Sequence, residues 1–426
     1  MLRSLAAAIV VACLVAGIAR SVAPAAFAGE PQVESGPATE ATAAPRVASR
    51  SDAFGRTWVE YEQQSDPAWG YPAPQTDRFW LASPERPTAA APLCVVLHSA
   101  GGTGRETFQP NGRPHHDRGA FGDEAFYVLC LDCAANRKQD WWWGCDEIER
   151  QPERYRAELT PTERRVLATV EWAARTFPID RNRIYLTGIS MGGSGSLGIG
   201  LNHGDVFAAV SVVVPAGIRH MKARLHPPLE NDPPPLVNIS SHLDGHARGQ
   251  EELLELFAAH HYAVAFAWEP LGHDAPRIAE WHPAVYDIPW LTIRRNEAYP
   301  AFTSASTDDR YPGLNDRTSA DQQGQINGCF RWRNVEDCGP RLAMELRIVR
   351  PDELRHRRAL PAEATVDVTF RRVQRFAVVP GQSYEWRLAA GDRELQAGRI
   401  TATADGRITV PRVRLTDAAA ILTVSR

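Results

Sequence analysis

The sequence lacks the features that indicate a nucleic-acid-binding or membrane-spanning protein. It has no Lys/Arg-rich run and no basic helical segment, and its formal net charge is only −4, so its electrostatics do not favour nucleic acid or an anionic membrane as a partner. The apolar run at residues 5–18 is too short for a spanning helix, which needs about 20 residues. A hydrophobic content of 44% and a charged content of 23% are instead typical of a globular protein.

Sequence motifs for a nucleotide or a metal cofactor are also missing. The glycines at 101, 102 and 104 are not followed by the Gly-Lys-Ser/Thr of a phosphate-binding loop. Cys130 and Cys133 have C-x-x-C spacing, but neither a second pair nor a His partner accompanies them at a metal-binding distance. We therefore predict no cofactor and no metal.

The N-terminus has the layout of a secretory signal peptide, with Arg3 before the apolar run and Ala26-Phe27-Ala28 as the cleavage site. We predict a signal peptide over residues 1–28, a flexible linker over 29–54, and a secreted or periplasmic protein. Two alternatives stay open. Lipid modification at Cys13 is ranked second because apolar sequence continues beyond it, and the run could also be a buried helix of the mature fold.

Cysteine usage agrees with export, because six of the seven cysteines follow the predicted cleavage site. An even number in an exported chain permits disulfides, with fifteen pairings possible if all six are used. We predict a local pair between Cys329 and Cys338, and a second pair between Cys133 and Cys145.

The 426 residues are too many for one ordinary domain and predict two. Short apolar runs alternate with helical segments up to residue 300, which predicts βαβ units around a mainly parallel sheet. Closely spaced strands with Pro-Gly, Gly-Asp and Asp-Gly turns follow, which predicts an antiparallel β-sandwich. The predicted fold is α/β, a three-layer sheet domain over 55–300, an irregular connection over 301–330 and a β-rich domain over 331–426.

The strongest chemical motif is Gly188-Ile189-Ser190-Met191-Gly192, which follows an apolar strand. This G-x-S-x-G pattern is typical of a nucleophile elbow, where the serine occupies a strained turn between a strand and a helix. Glycines are needed two residues before and after the serine because side chains there would collide. Ser190 is therefore the predicted nucleophile.

A serine nucleophile needs a base and an acid, which in parallel-sheet enzymes follow it in the order Ser, Asp or Glu, His. Asp244 follows the predicted strand at 236–241, and His273 follows the strand at 263–268. We predict these two as acid and base. Asp244 as a simple helix cap stays open, and so do the following alternatives: Asp205 and Asp232 for the acid, and His246, His260, His261 and His282 for the base.

Two backbone N–H groups are predicted to bind the oxyanion, one from Met191 after the nucleophile and one from Ala100 in the Gly-rich loop after an earlier strand. The run Trp141-Trp142-Trp143 is predicted to bind substrate, because aromatic faces suit sugar rings and aromatic acyl groups. A loop anchor packed under the core is the alternative for these tryptophans.

These residues resemble the α/β-hydrolase superfamily, in particular secreted esterases of the feruloyl esterase, acetylxylan esterase and polyhydroxybutyrate depolymerase kinds. The resemblance covers about residues 75–290 and rests on the His98 loop, the 179–193 segment with Ser190, Asp244, and Gly272-His273. It implies hydrolysis of a small-molecule or polysaccharide ester through an acyl-serine intermediate, without metal or nucleotide. One departure is His98-Ser99, where such enzymes usually have His-Gly.

Two other functions remain open at this stage. A serine peptidase of the prolyl-oligopeptidase branch shares the same site motifs, although that branch usually carries a large N-terminal propeller, for which the sequence before residue 55 is too short. A catalytically inert glycan-binding protein is the third possibility, with Trp332 and Trp386 of the β-rich region as candidate contacts.

Overall fold

The computed structural model describes residues 44–53, 56–86, 88–107, 125–133, 142, 151, 154–155, 158–218, 225, 229, 231–273, 278–315, 318 and 322–426. The chain from Thr42 to Arg426 forms one compact unit. The predicted signal peptide and Cys13 lie outside the described residues. None of the helices in the described part of the chain has the length and apolar character needed to cross a membrane.

A ten-stranded sheet runs through the first part of this unit in the order β1-β2-β3-β5-β4-β6-β7-β8-β9-β11. The neighbours from β5 to β9 in this order are parallel, whereas β1, β2, β3 and β11 are antiparallel additions at the two edges. The central strands β4, β5, β7 and β8 are buried along their whole length, which agrees with their continuous apolar sequence. The strands of this sheet are β1 Arg46–Ala53, β2 Arg56–Gln64, β3 Thr76–Ala82, β4 Ala91–Leu97, β5 Tyr127–Leu131, β6 Ile179–Ile189, β7 Ala209–Val213, β8 Leu236–Ser241, β9 Val264–Glu269 and β11 Gly324–Ile326.

Helices cover both faces of this sheet, and each face has its own hydrophobic core. One core contains side chains of α1, α2 and α3, and the other contains side chains of α5 and the turn that follows it. The helices are α1 Pro161–Thr176, α2 Met191–Gly200, α3 Gln250–Ala259, α4 Ile278–Trp281 and α5 Pro283–Tyr286. The predicted α/β class with three layers is confirmed.

Two helix ends are joined by a buried ion pair. Thr160 caps α1 through a reciprocal capping box with Glu163, as this sequence pattern favours. Glu163 also lies 3.0 Å from Nε2 of His203, which follows α2. Asp205 lies 3.7 Å from Nδ1 of the same imidazole. The His203 ring therefore connects the start of α1 to the end of α2.

The first strand corrects the predicted linker, because Arg46–Ala53 forms β1 and pairs with β2 instead of continuing the linker to residue 54. Its sequence has no apolar pattern, and its described side chains are exposed. The neighbouring edge of β2 supplies the hydrogen-bonding partners that make this segment a strand.

Two further sheets, both antiparallel, form a β-sandwich in the C-terminal part, as predicted. Their orders are β10-β14-β17 and β12-β13-β18-β15-β16, and side chains from both sheets share one hydrophobic core. Their strands are β10 Tyr299–Thr303, β12 Phe330–Cys338, β13 Arg341–Ile348, β14 Glu363–Arg371, β15 Ser383–Ala390, β16 Arg393–Thr401, β17 Thr409–Thr416 and β18 Ala420–Ser425.

The segment 301–330 is more regular than predicted. It includes most of β10, which belongs to the sandwich, and β11, which pairs with β9 at the edge of the ten-stranded sheet. The chain therefore enters the sandwich, returns to the first sheet and enters the sandwich again. The chain therefore cannot be divided near residue 300 into one segment that forms the first sheet and another that forms the sandwich.

Buried side chains join the sandwich to the rest of the unit. The Arg331 guanidinium donates to the carbonyls of Gly328 at 2.8 Å, Phe330 at 2.9 Å and Ala284 at 2.7 Å. Burial lowers the pKa of Arg331 to about 10. Arg371 at the end of β14 forms an ion pair with Asp232. These polar contacts fix the sandwich against the first sheet.

The predicted pair between Cys329 and Cys338 is wrong, since both are free thiols. They lie at opposite ends of β12, and nine residues of extended strand hold two positions about 30 Å apart, far beyond the ~7 Å limit for a disulfide. Cys329 is buried, and burial raises the pKa of its thiol to about 11. The predicted pair between Cys133 and Cys145 involves Cys145, which lies outside the described residues.

Candidate active site

Ser190 occupies a sharp turn between β6 and α2. Its φ of 55° and ψ of −118° are strained for a residue with a side chain, and its N–H donates to the carbonyl of Val213 at 3.0 Å. A Cβ atom on Gly188 would lie 2.3 Å from the backbone of Gly192, and one on Gly192 would lie 2.0 Å from the carbonyl oxygen of Leu97. Only glycine fits at these two positions, which explains the motif.

A continuous chain of hydrogen bonds links Ser190, His273 and Asp244. Ser190 Oγ lies 2.7 Å from His273 Nε2, and His273 Nδ1 lies 2.7 Å from Asp244 Oδ2. Because an ionised carboxylate only accepts, Nδ1 carries the proton and Nε2 is free to accept from the serine hydroxyl. The arrangement can remove a proton from Ser190 and stabilise the resulting imidazolium.

The side chains in this chain of hydrogen bonds differ in their exposure to solvent. The Asp244 side chain is 1% exposed and that of His273 is 35% exposed. Asp244 Oδ1 also accepts the backbone N–H of His246 at 2.9 Å, so both carboxylate oxygens are held. The Asp244 carboxylate is therefore fixed in the protein interior, whereas the His273 imidazole reaches the surface.

The alternative acids lie elsewhere. Asp205 pairs with His203, and Asp232 precedes β8 and pairs with Arg371. Asp232 precedes β8 and Asp244 follows β8, so the two residues lie at opposite ends of this strand. Neither carboxylate contacts His273.

Among the alternative bases, His246 lies beside His273, whereas His260 and His261 follow α3 and His282 precedes α5. The pKa of His260 and His261 is lowered by burial and by the charges of Arg407 and Arg371, and burial lowers the pKa of His282 to about 4. The exposed His246 ring packs edge-on against the ring of His273, with centroids 4.9 Å apart. His246 therefore lines the site beside the base.

The two predicted oxyanion donors are placed on neighbouring segments. Met191 is the first residue of α2, where a backbone N–H has no partner within the helix. Ala100 is exposed in the loop after β4. Ser99 anchors this loop, because its hydroxyl donates to the carbonyl of Ile189 at 2.9 Å. The departure from His-Gly to His98-Ser99 thus adds a contact to the residue before the nucleophile.

His98 holds the same loop from beneath. Its buried ring donates from Nδ1 to the carbonyl of Ser99 at 2.8 Å, and its Nε2 accepts the backbone N–H of Cys133 at 3.1 Å. In this pair of bonds Nδ1 is the donor and Nε2 the acceptor. His98 is a structural residue of the Ala100 loop.

Trp142 does not present a face to substrate. Its side chain is 0% exposed, its Nε1 donates to the carbonyl of His98 at 2.9 Å, and its ring packs edge-on against His98. It also fills the space next to Gly195, where a Cβ atom would lie 2.3 Å from that of Trp142. This corrects the predicted substrate contact: Trp142 is the loop anchor. Trp141 and Trp143 lie outside the described residues.

Sequence reasoning missed Ser241, the last residue of β8. Its hydroxyl accepts the backbone N–H groups of Leu243 at 3.3 Å and Gly272 at 2.9 Å, which directly precede the acid and the base. The available signal was a polar residue at the end of a strand buried along its whole length.

In the described part of the chain, no group of three or more His, Cys, Asp and Glu side chains is arranged to hold a metal ion.

One protein-family model matches the part of the chain that contains the Ser190 turn. Residues 141–241 match the family model described as "Putative esterase". Over this segment, the match confirms the predicted resemblance to esterases. The matched segment includes Ser190 but ends before Asp244 and His273.

No curated protein matches the chain significantly. Among solved structures, the chain is similar to an S-formylglutathione hydrolase from Agrobacterium tumefaciens, with 14% identity, a TM-score of 0.39, and coverage of 53% of this chain and 92% of that chain. It is also similar to fluorophosphonate-binding serine hydrolase F of Staphylococcus aureus, with 13% identity, a TM-score of 0.39, and coverage of 54% and 96%. A ferulic acid esterase from Anaeromyces mucronatus gives 14% identity, a TM-score of 0.39, and coverage of 52% and 85%. All three likenesses are distant in sequence and in superposition.

Proposed function

We propose that the protein hydrolyses carboxylic esters through an acyl-serine intermediate, with Ser190 as nucleophile, His273 as base and Asp244 as acid. The observation that carries this proposal is the unbroken chain of hydrogen bonds, 2.7 Å at each step, from a strained serine to a buried carboxylate. The match of residues 141–241 to an esterase family supports ester hydrolysis as the reaction.

In the first half of the reaction, Ser190 Oγ attacks the ester carbonyl carbon while its proton passes to His273 Nε2. Asp244 keeps the Nδ1–H of the imidazole oriented and stabilises its positive charge. The tetrahedral intermediate expels the alcohol, which takes the proton from Nε2. The acyl group stays on Ser190.

In the second half, a water molecule gives a proton to His273 Nε2 and its oxygen attacks the acyl carbon. Collapse of the second intermediate returns the proton to Ser190 Oγ and releases the carboxylic acid. The N–H groups of Met191 and Ala100 are the proposed donors to the negative oxygen in both intermediates. Each such donor contributes about 10²- to 10³-fold to kcat in related chemistry.

The two other candidate functions have less support. The esterase family match favours ester over peptide hydrolysis. For the glycan-binding alternative, Trp332 and Trp386 are both partly buried against the sandwich core, so only part of each ring is available to a sugar. Aromatic and polysaccharide esters stay part of the proposal as substrate classes. We also propose that the protein is exported after cleavage at residue 28. The proposed hydrolase domain covers residues 55–300, and β11 adds a further strand to its sheet.

Turnover by the mature protein and by its Ser190→Ala variant tests the proposal. Both are measured against acetyl, feruloyl and longer acyl esters and a prolyl amide, and both are treated with a fluorophosphonate probe that labels activated serines. We expect ester hydrolysis and labelling only in the wild type. Equal turnover in the two proteins would remove Ser190 from the mechanism, and cleavage of the prolyl amide alone would favour a peptidase.

A further inference from the structure

Ser241 lies where the loops carrying the proposed acid and base diverge. It ends β8, its side chain is 0% exposed, and it pairs in register with Glu269, the last residue of β9. The acid loop leaves β8 directly after Ser241, and the base loop leaves β9 directly after Glu269. A side chain at this position can therefore contact both loops at their origin.

The Ser241 hydroxyl makes these contacts with both of its acceptor positions. It accepts the N–H of Leu243 at 3.3 Å, one residue before Asp244, and the N–H of Gly272 at 2.9 Å, one residue before His273. The backbone carbonyl of Ser241 in addition accepts the N–H of Asp244 at 3.3 Å. Asp244 also accepts from both loops, through the His246 N–H and the His273 ring, but Ser241 contacts only the backbone of the two loops.

We propose that Ser241 is a positioning residue that sets the distance between Asp244 and His273 by holding the backbone ahead of each. This inference rests on the proposed function. Gly272 has a positive φ of 75°, and a Cβ atom at this position would meet no heavy atom within 4 Å. The N–H bond from Gly272 to Ser241 therefore holds the backbone directly before His273. Asp244 and His273 are joined by a bond of 2.7 Å, which small shifts of either loop would lengthen.

Ser240 provides a matched control on the same strand. It is also 0% exposed, and its Oγ has no hydrogen-bond partner among the described residues. Adjacent strand residues point to opposite faces of a sheet, so Ser240→Ala removes an identical hydroxyl without touching the two loops. Loss of a buried hydroxyl as such is then separated from loss of the contacts with the acid and base loops.

The decisive experiment compares kcat and KM of Ser241→Ala, Ser241→Cys and Ser240→Ala on p-nitrophenyl acetate. Misplacement of reacting groups by about 1 Å costs up to ~10²-fold, so we expect kcat of Ser241→Ala to fall about 10- to 100-fold with KM nearly unchanged. Ser241→Cys keeps the shape of the side chain with a somewhat larger atom in place of the oxygen, but it accepts hydrogen bonds only weakly, so its kcat is expected to fall as well. Ser240→Ala is expected to match the wild type.

Two further readouts separate positioning from general destabilisation. The rate at which the fluorophosphonate probe labels Ser190 should fall in parallel with kcat, and the downfield proton resonance of the His273 Nδ1–H bond to Asp244 should shift in both Ser241 variants but not in Ser240→Ala. Wild-type kcat in Ser241→Cys would overturn the inference, even if Ser241→Ala does not fold. Turnover that survives in Ser190→Ala would instead contradict the proposed function itself.

Discussion

The buried His203 makes the stability of this protein depend on pH above neutrality. Its side chain is 13% exposed and lies between Glu163, which is fully buried, and Asp205. Burial alone lowers the pKa of His203, but the nearby carboxylates of Asp205 and Glu163 outweigh burial and raise the pKa from 6.5 to about 9. The His203 imidazole therefore binds its proton more tightly in the folded protein than in the unfolded chain.

The size and pH range of the effect follow from that difference. A pKa raised from 6.5 to about 9 corresponds to ~3 kcal/mol of additional free energy of unfolding. Because the folded pKa is the higher one, this stabilisation is fully present below pH 6.5 and is lost as the pH rises through about 9. The described tyrosines with shifted pKa values, such as Tyr262 and Tyr299, have them raised above 10.0, so their titration begins beyond this range.

Urea unfolding between pH 6 and pH 10 measures this contribution. We expect His203→Gln to be less stable than the wild type by about 2–3 kcal/mol at pH 6 and nearly equal to it at pH 10, because glutamine still donates to Glu163 but carries no charge. The exposed His356 supplies the control, since His356→Gln should leave the pH profile unchanged. Parallel profiles of the wild type and His203→Gln would refute the argument.

Three further predictions concern the site and the core. Asp244→Asn should lower kcat about 10⁴-fold with an unchanged melting temperature, because an amide orients the wrong imidazole tautomer; full activity in steady-state assays would exclude this acid. Gly192→Ala should destabilise the protein by at least ~3 kcal/mol, since its Cβ would lie 2.0 Å from the Leu97 carbonyl oxygen. The same change at the exposed Gly339, which has free space around it, is the control, and equal urea midpoints would contradict the steric argument. Arg331→Met should cost about 3 kcal/mol, because buried carbonyls lose their donors; an unchanged urea midpoint would show that these bonds add nothing to stability.

Much of the fold could be predicted because the central strands are apolar along their whole length. The predicted strand at 236–241 coincides with β8, the predicted strand at 263–268 overlaps β9, and Thr160 caps α1 as its sequence indicates. The strands β1 and β11 could not be predicted, because neither has an apolar pattern of its own. β1 is an exposed edge strand, and β11 has only three residues. Each exists because a neighbouring strand offers a free edge, and this information is absent from the segment itself.

The candidate site could be anticipated to a similar extent. Chain order and strand ends predict Ser190, Asp244 and His273, because the carboxyl ends of parallel strands meet at one edge of a sheet, and the structure brings these three side chains together. Burial of Trp142 could not be predicted, since an aromatic side chain in a loop suits a core as well as a binding surface. The role inferred for Ser241 depends on two backbone N–H groups, one of which is 31 residues away in the chain. Such contacts become visible only when both loops are placed.

The parallel pairing of β8 with β9, which aligns Ser241 with Glu269, makes activity sensitive to how these strands align. A slip by one residue would shift the loop after β9 by about 3.3 Å and turn alternate side chains to the other face. That displacement exceeds the 2.7 Å length of the bond between His273 and Asp244. Under the proposed mechanism, a misaligned but compact protein would be inactive, and specific activity would report the fraction of molecules that have folded in the correct register.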